Sequence, residues 1–358
     1  MKRILLMLLL SRAALAGSVV LMPLDNVCGE PNDIQPLIVK AVEAKGWKVA
    51  AGEEIEALLE TERVRYLDSI DAAVRAKILE KSGASAILTV TLYMHTHDRN
   101  PTAGLSAHLI DADGDITWGN VAAIAASDTE RVLGFGKTDN VAAAAVDALM
   151  RTFPRQEGSG RPVRSVRTRT SAPHYISPEL DRSRPVCVLP FDNNSNVADA
   201  PRVLADVMAL RLEAAGFHVV DPAILRAAAL QARVSLHGIG SQDLAALAKI
   251  VGTPLFLRGT IYAYNESPSI DVEATLVDAV ASRVLWASQQ NRKGSDYIGF
   301  LMLGAVSNSV SLSDRVATEM IATARTKHEN SNHSGDRAPV ASLVRKGRHQ
   351  LHSGQGQR

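Results

Sequence analysis

Three short segments bring together residue types that could do chemistry. In His95-Thr96-His97, alternate strand positions place two imidazoles on one face, with Asp98 beside them. Such a pair can share a zinc ion, but a site needs a third ligand and none is indicated nearby, so a solvated strand end is expected. Asp111-Ala112-Asp113-Gly114-Asp115 offers three carboxylates to a calcium ion. An EF-hand loop needs glycine sixth and glutamate twelfth. Here glycine is fourth and the twelfth residue is Ala122, which leaves a tight hairpin turn at Asp113-Gly114. Gly134-Phe135-Gly136-Lys137-Thr138 has the ending of a phosphate-binding loop. Arg131 stands where the motif's first glycine belongs, and the residues before it are polar rather than strand-like. Cys28 and Cys187 are the two cysteines, and neither has a recognisable catalytic context. Cys187 lies between Val186 and Val188 and reads as a small buried hydrophobe; a disulfide to Cys28 stays open if the compartment is oxidising. No nucleophile elbow occurs. The expectation is a chain with no catalytic residue, no cofactor and no metal.

Apolar residues make up 46% of the 358, enough to bury cores, and aromatics only 4%, too few for base-stacking platforms. The formal charge of +1 hides an asymmetry, because seven arginines fall between Arg155 and Arg184 and more basic residues close the chain. Residues 1–16 read as a signal peptide: Lys2 and Arg3, an apolar run from Ile4 to Leu10, and Ala14-Leu15-Ala16 as a cleavage site. Leu15-Ala16-Gly17-Ser18 has the form of a lipobox with serine in place of the lipid-accepting cysteine. A periplasmic or secreted protein is expected, with outer-membrane association open and nucleic acid excluded as a partner. The arginine-rich stretch could touch anionic surfaces.

The elements that would carry any site come twice. Val19-Val20-Leu21-Met22-Pro23-Leu24-Asp25-Asn26 recurs as Val186-Cys187-Val188-Leu189-Pro190-Phe191-Asp192-Asn193, and Gly46-Trp47-Lys48-Val49 recurs as Gly216-Phe217-His218-Val219. Gly83 is echoed by Gly252, and Leu109-Ile110-Asp111 by Leu276-Val277-Asp278, each then followed by a tryptophan. Ordered matches about 170 residues apart are a domain duplication rather than a solenoid. Each copy reads as strand, helix, strand, two helices, three strands and a closing helix. Pro23 and Pro190 stop the first strand, and Asp25-Asn26 and Asp192-Asn193 favour a turn. Gly46 and Gly216 are placed to end a helix in the left-handed conformation. Ser241 is a candidate cap for the helix before Gly252. The expected fold class is α/β, an α+β sandwich of two tandem mixed sheets with helices covering one face. The expected organisation is copy one at 17–153, a solvated linker at 154–184, copy two at 185–326 and a disordered basic tail at 327–358.

The pattern of copy two, from Val186–Asn193 through Gly216–Val220 and Gly252-Thr253-Pro254-Leu255-Phe256-Leu257-Arg258-Gly259-Thr260 to Leu276-Val277-Asp278 and Trp286, resembles a group of bacterial envelope domains. These are the CsgG-like curli-secretion lipoproteins, the TolB amino-terminal domain, and lipoprotein activators of peptidoglycan synthases. The resemblance covers most of 186–326 and, more weakly, 19–153. It implies a CsgG/TolB-N-like fold and an envelope module that acts by binding a protein partner, with no catalytic residues to carry over. The long amphipathic hairpins of a pore are not visible. The partner-binding surface would be the sheet edges and the loops after Asp25-Asn26 and Asp192-Asn193. The alternative is a small-ligand receptor or enzyme with a pocket between the copies.

Overall fold

Apolar runs of strand length, broken by glycine and proline, build two mixed sheets of six strands each. The computed structural model describes residues 17–30, 33–64, 70–129, 140–155, 173–298 and 305–324. The expected leader, the Gly134–Thr138 segment and the tail from 327 lie outside them. The first half runs β1 (Ser18–Leu21), β2 (Asp25–Asn26), α1 (Ile34–Glu43), β3 (Lys48–Ala50), α2 (Glu53–Thr61), α3 (Ala72–Ser82), β4 (Ala86–Thr96), β5 (Thr102–Asp111), β6 (Ile116–Ala125) and α4 (Val141–Met150). The second runs β7 (His174–Ile176), β8 (Val186–Val188), β9 (Asp192–Asn193), α5 (Ala200–Ala214), α6 (Pro222–Ala232), α7 (Ser241–Val251), β10 (Leu255–Asn265), β11 (Ser269–Asp278), β12 (Arg283–Lys293) and α8 (Ser309–Ala322).

The repeat in sequence is a repeat of topology and register. The sheets are ordered β3-β1-β4-β5-β6 and β8-β10-β11-β12-β7, with β2 on β4 and β9 on β10. The first strand is parallel to its neighbour in both, Val19 opposite Ala86 and Val186 opposite Leu255. Bulges fall at matching places, between Leu92 and Met94 and between Ile261 and Ala263, and again next to Leu109 and Leu276. Where β3 pairs with β1, the second half has a single bridge from Val219 to Val186. Gly46 and Gly216 have φ of +89° and +86°, the conformation their place after a helix demands.

Helices cover both faces of each sheet near its first strand, not one face as the sequence suggested. Ile34, Ile38 and Val42 of α1 and Val141, Ala145 and Leu149 of α4 pack on Val19, Leu21, Leu88 and Leu105. Behind them, α2 and α3 cover Val20, Met22 and Ile87. In the second half, α6 and α7 cover Cys187, Leu189 and Phe256.

The remaining face of the first sheet is covered by the second half. Tyr93, Ile116 and Val121 share one core with α5, α8 and the inner face of β8, β10 and β11. Helix α5 therefore lies between two sheets, and Ala200, Val203, Leu204, Val207, Met208, Ala209, Leu210 and Leu212 are all buried. Two glycines let it and α8 approach: a side chain at Gly119 would collide with Leu210, and one at Gly104 would come within 3.2 Å of Val310. Each buried leucine or valine contributes about 1.5–3 kcal/mol, so this layer outweighs the polar links beside it. Those links are Arg75–Asp221 at 2.9 Å, Arg202–Asp25, His218–Asp115 at 3.0 Å, and Tyr93 to Asp206 at 2.5 Å. Burial, then the Asp206 carboxylate, holds the Tyr93 hydroxyl well above its usual pKa.

Two further expectations are corrected. The stretch 154–184 is not linker throughout: β7 pairs with Trp286–Ser288 of β12, Leu180 is buried, and Arg184 pairs with Asp278. The cap of α7 is Gly240, and Ser241 is its first helical residue.

Candidate interaction edge and groove

The residues singled out from the sequence fall into architecture. Asn26 and Asn193 each bind their own loop: the side-chain amides donate to Glu30 O and Val197 O, and the side-chain oxygens accept from Gly29 N and Ser195 N. Asp25 and Asp192 do not open a turn but begin two-residue strands on β4 and β10. Asp25 is held by Arg202 across the halves, so its loop is not a free surface. Pro23 and Pro190 lie between those strands and the first ones. Gly83 and Gly252 end α3 and α7 at φ +62° and +76°. At Gly259 a side chain would meet the Phe191 ring and the Glu273 carbonyl.

Asp111 organises a turn: its Oδ1 accepts from the amides of Asp113, Gly114 and Asp115, each at 3.0 Å. Asp278 does the same for Val280 and Ala281, so a carboxylate kept in both halves is a turn anchor. His95 and His97 meet edge to face at 4.4 Å, the first buried and the second exposed. Among the described residues no three His, Cys, Asp or Glu side chains are placed to hold a metal.

Both cysteines are free thiols. Burial pushes the Cys187 thiol up to about 12, whereas half-buried Cys28 donates to Asn26 Oδ1 at 3.2 Å. Since the thiolate is the nucleophile, one thiol per native chain should react with iodoacetamide at pH 8, at Cys28. The second should appear only on denaturation. Two equally fast thiols would show that the strand carrying Cys187 opens.

The feature that could engage a partner is the outer edge of β6. Ala123 O accepts from Ser311 Oγ and Ala125 N donates to Asp128 Oδ2, both at 2.9 Å, whereas Ala126 N turns inward to Pro101 O. Main-chain groups alternate in direction along an antiparallel strand, so Gly119 and Val121 point outward too. Among the described residues no strand pairs with β6 on that side. In the second half the matching edge is occupied: β7 runs antiparallel to β12, Leu285 O accepts from Ser177 N at 2.8 Å, and Gln289 N donates to Pro173 O at 3.4 Å. Trp118 faces Leu109 as Trp286 faces Leu276, which makes Gly119 and Val121 the counterparts of Ala287 and Gln289.

Beside this edge lies a groove of about 770 Å³. Asn120 to Ile124 form its floor. One wall is α4, through Ala148, Arg151 and Thr152, and the other is the start of α8, through Ser307, Ser311, Asp314 and Arg315. Side chains brace the walls: Asn120 donates to Leu149 O at 2.8 Å, and Trp118 Nε1 to Thr152 Oγ1 at 3.3 Å. Asp128 accepts from Ser307 at 2.7 Å, and Asp314 pairs with Arg211. The Arg315 guanidinium lies 4.8 Å from the Tyr297 ring centre. The sequence does not show this asymmetry between the edges, because His174-Tyr175-Ile176 falls in the stretch whose composition predicts a linker. Tyr175 and Ile176, residues of strand-forming type set between Pro173 and Pro178, are the available signal.

No family model and no curated protein sequence matches the chain. Solved structures similar to it include the PelC dodecamer from Paraburkholderia phytofirmans, at 19% identity over 43% of this chain and 93% of that one, TM-score 0.30. Lipoprotein GNA1162 from Neisseria meningitidis aligns at 20% identity over 40% and 99%, TM-score 0.31. The LpoB C-terminal domain from Escherichia coli aligns at 16% identity over 33% and 87%, TM-score 0.28.

Proposed function

We propose that this chain is a non-catalytic protein of the bacterial cell envelope that works by protein–protein contact, built by duplication of one α/β unit of the CsgG/TolB-N kind. The observation that carries the reading is the β6 edge in its groove, unpaired among the described residues, where the main-chain groups of Gly119 and Val121 face outward as an extended partner would need. The leader-like residues 1–16 and the resemblance of Val186–Asn193 and Gly252–Thr260 to envelope domains support the location. Among the described residues no helix is long and apolar enough to cross a membrane. The arginines of 155–184 would add contact with anionic surfaces.

The rival reading, a ligand pocket between the halves, has less behind it. The cavity at Arg75 and Asp221 holds only about 10 Å³, and both groove carboxylates already have hydrogen-bond donors. Fractionation with intact-mass analysis tests the reading. The chain should be recovered outside the cytoplasm, beginning near Gly17 and without lipid, and should cross-link to an envelope protein. A cytoplasmic chain retaining Met1 would overturn it.

A further inference from the structure

We infer that the edge of β6, unpaired among the described residues, takes an extended acidic segment of a second protein as an added antiparallel strand. This rests on the proposed function and goes on to name the surface and the chemistry of its occupant.

Three observations select that occupant. The chain contains its own template, since β7 lies on β12 at the register where β6 is bare, held through the main chain of Leu285, Ala287 and Gln289. A segment on β6 would make the same bonds to Gly119 and Val121. The groove beside the edge is walled by α4 and α8. Charge decides among segments. Asp314 pairs with Arg211 and Asp128 keeps its charge among neutral donors, whereas Arg151 and Arg315 take part in no ion pair among the described residues, so two unpaired guanidiniums outweigh one unpaired carboxylate in the groove. Two of the chain's stretches outside the described residues are basic and poorly suited to it, 156–172 with Arg161, Arg164, Arg167 and Arg169 against Glu157, and 325–358; those that adjoin the groove residues Asp128 and Ala305, 130–139 and 299–304, carry no net negative charge. Alternation matters too, because the side chains of an added strand would point by turns to the α4 wall, with Ala148 and Arg151, and to the α8 wall, with Ser311 and Arg315.

The test uses the full chain and two acetylated, amidated heptapeptides, one alternating valine with glutamate and one alternating valine with lysine. The glutamate peptide should bind at least tenfold more tightly by fluorescence anisotropy. Arg151→Glu combined with Arg315→Glu should reverse that order. Val121→Pro removes an edge donor at a position where its own sheet does not need it, and should weaken binding at least tenfold. Amide exchange at Gly119 and Val121 should be fast in the free chain and slowed by peptide. Amides already protected in the free chain would mean that the edge is filled by the chain itself or by a second copy, and would overturn the inference. So would equal affinity for the two peptides, or no binding at millimolar concentration. If peptide binding fails while the chain is still exported and cross-linked, the edge is wrong and the envelope reading stands. Cytoplasmic retention with peptide binding intact would instead keep the edge and overturn the envelope reading.

Discussion

Replacing Asp221 by alanine is expected to lower the stability of the whole described fold by about 3–5 kcal/mol. Asp221 immediately precedes α6 and is 3% exposed, and Arg75, on α3 of the other half, is also 3% exposed. Their 2.9 Å ion pair is closed off from water, and the Arg75 Nε already lacks a hydrogen-bond partner. Removing the carboxylate leaves a guanidinium buried with no other ion-pair partner among the described residues, and that penalty exceeds any gain the pair gave. Arg75→Met together with Asp221→Leu should therefore recover most of the loss, because the site can be filled by apolar groups of similar size. The measurement is denaturant unfolding followed by circular dichroism. One transition should move to lower denaturant with its slope unchanged. Independent halves on a flexible tether would instead unfold in two steps, and Gly216→Val would shift only one. With α5 and α8 in a core common to both sheets, Gly216→Val should move the same single transition. A split transition, or a shift below about 0.5 kcal/mol for Asp221→Ala, counts against a buried, coupled interface.

Much of the fold was legible because local rules and global packing agree. The hairpins, the closing helices and the left-handed glycines Gly46, Gly83, Gly216 and Gly252 all sit where the repeat put them. The repeat does not predict the packing of one half on the other, although that packing leaves a trace in the sequence. Strand β11 alternates strictly, Ile270, Val272, Ala274 and Leu276 inward with Asp271, Glu273 and Thr275 outward. Its counterpart β5 sets Ala103, Leu105, Ala107 and Leu109 against Thr102, Gly104, Ser106, His108 and Ile110, with no Lys, Arg, Asp or Glu before Asp111, and Thr102 to Ala107 are buried without a break. A second face of small, uncharged residues is one that can be covered at little cost. In α1, Lys40 and Glu43 lie on the exposed face, whereas α5 has no exposed apolar or charged stripe left to read. The groove was harder still, since a free edge is a property of pairing and leaves no mark on the strand itself.

The same comparison distinguishes the second sheet from the first. The outer face of the second sheet is equivalent to the one that buries α5 and α8 in the first. It presents Arg258, Thr260, Tyr262, Asp271 and Glu273, with Tyr262 donating to Glu273 at 3.1 Å and Asn291 to Asp271 at 3.0 Å. Covering it would desolvate these groups for no apolar return. The second sheet therefore keeps a hydrated outer face where the first has a buried one.

The close approach of Phe191 to Gly259 should behave as one exchangeable unit. In the first half the equivalent pair is Leu24 and Val90, a smaller side chain over a larger one. A β-carbon built on Gly259 would lie 2.6 Å from the Glu273 carbonyl oxygen and would also strike the fully buried Phe191 ring. Gly259→Ala is therefore expected to cost about 1–3 kcal/mol through overpacking. Phe191→Leu alone should also destabilise, by leaving space above the glycine. Combined, each change offsets the other, and the pair should cost at least about 1 kcal/mol less than the sum of the single changes. The rescue is partial, because the clash with the Glu273 carbonyl belongs to the backbone of β11 and does not depend on residue 191. Denaturant midpoints for the four proteins measure the coupling directly. Simple additivity would mean that β10 shifts away from β11 to admit the methyl group, and that Phe191 plays no part in fixing that strand.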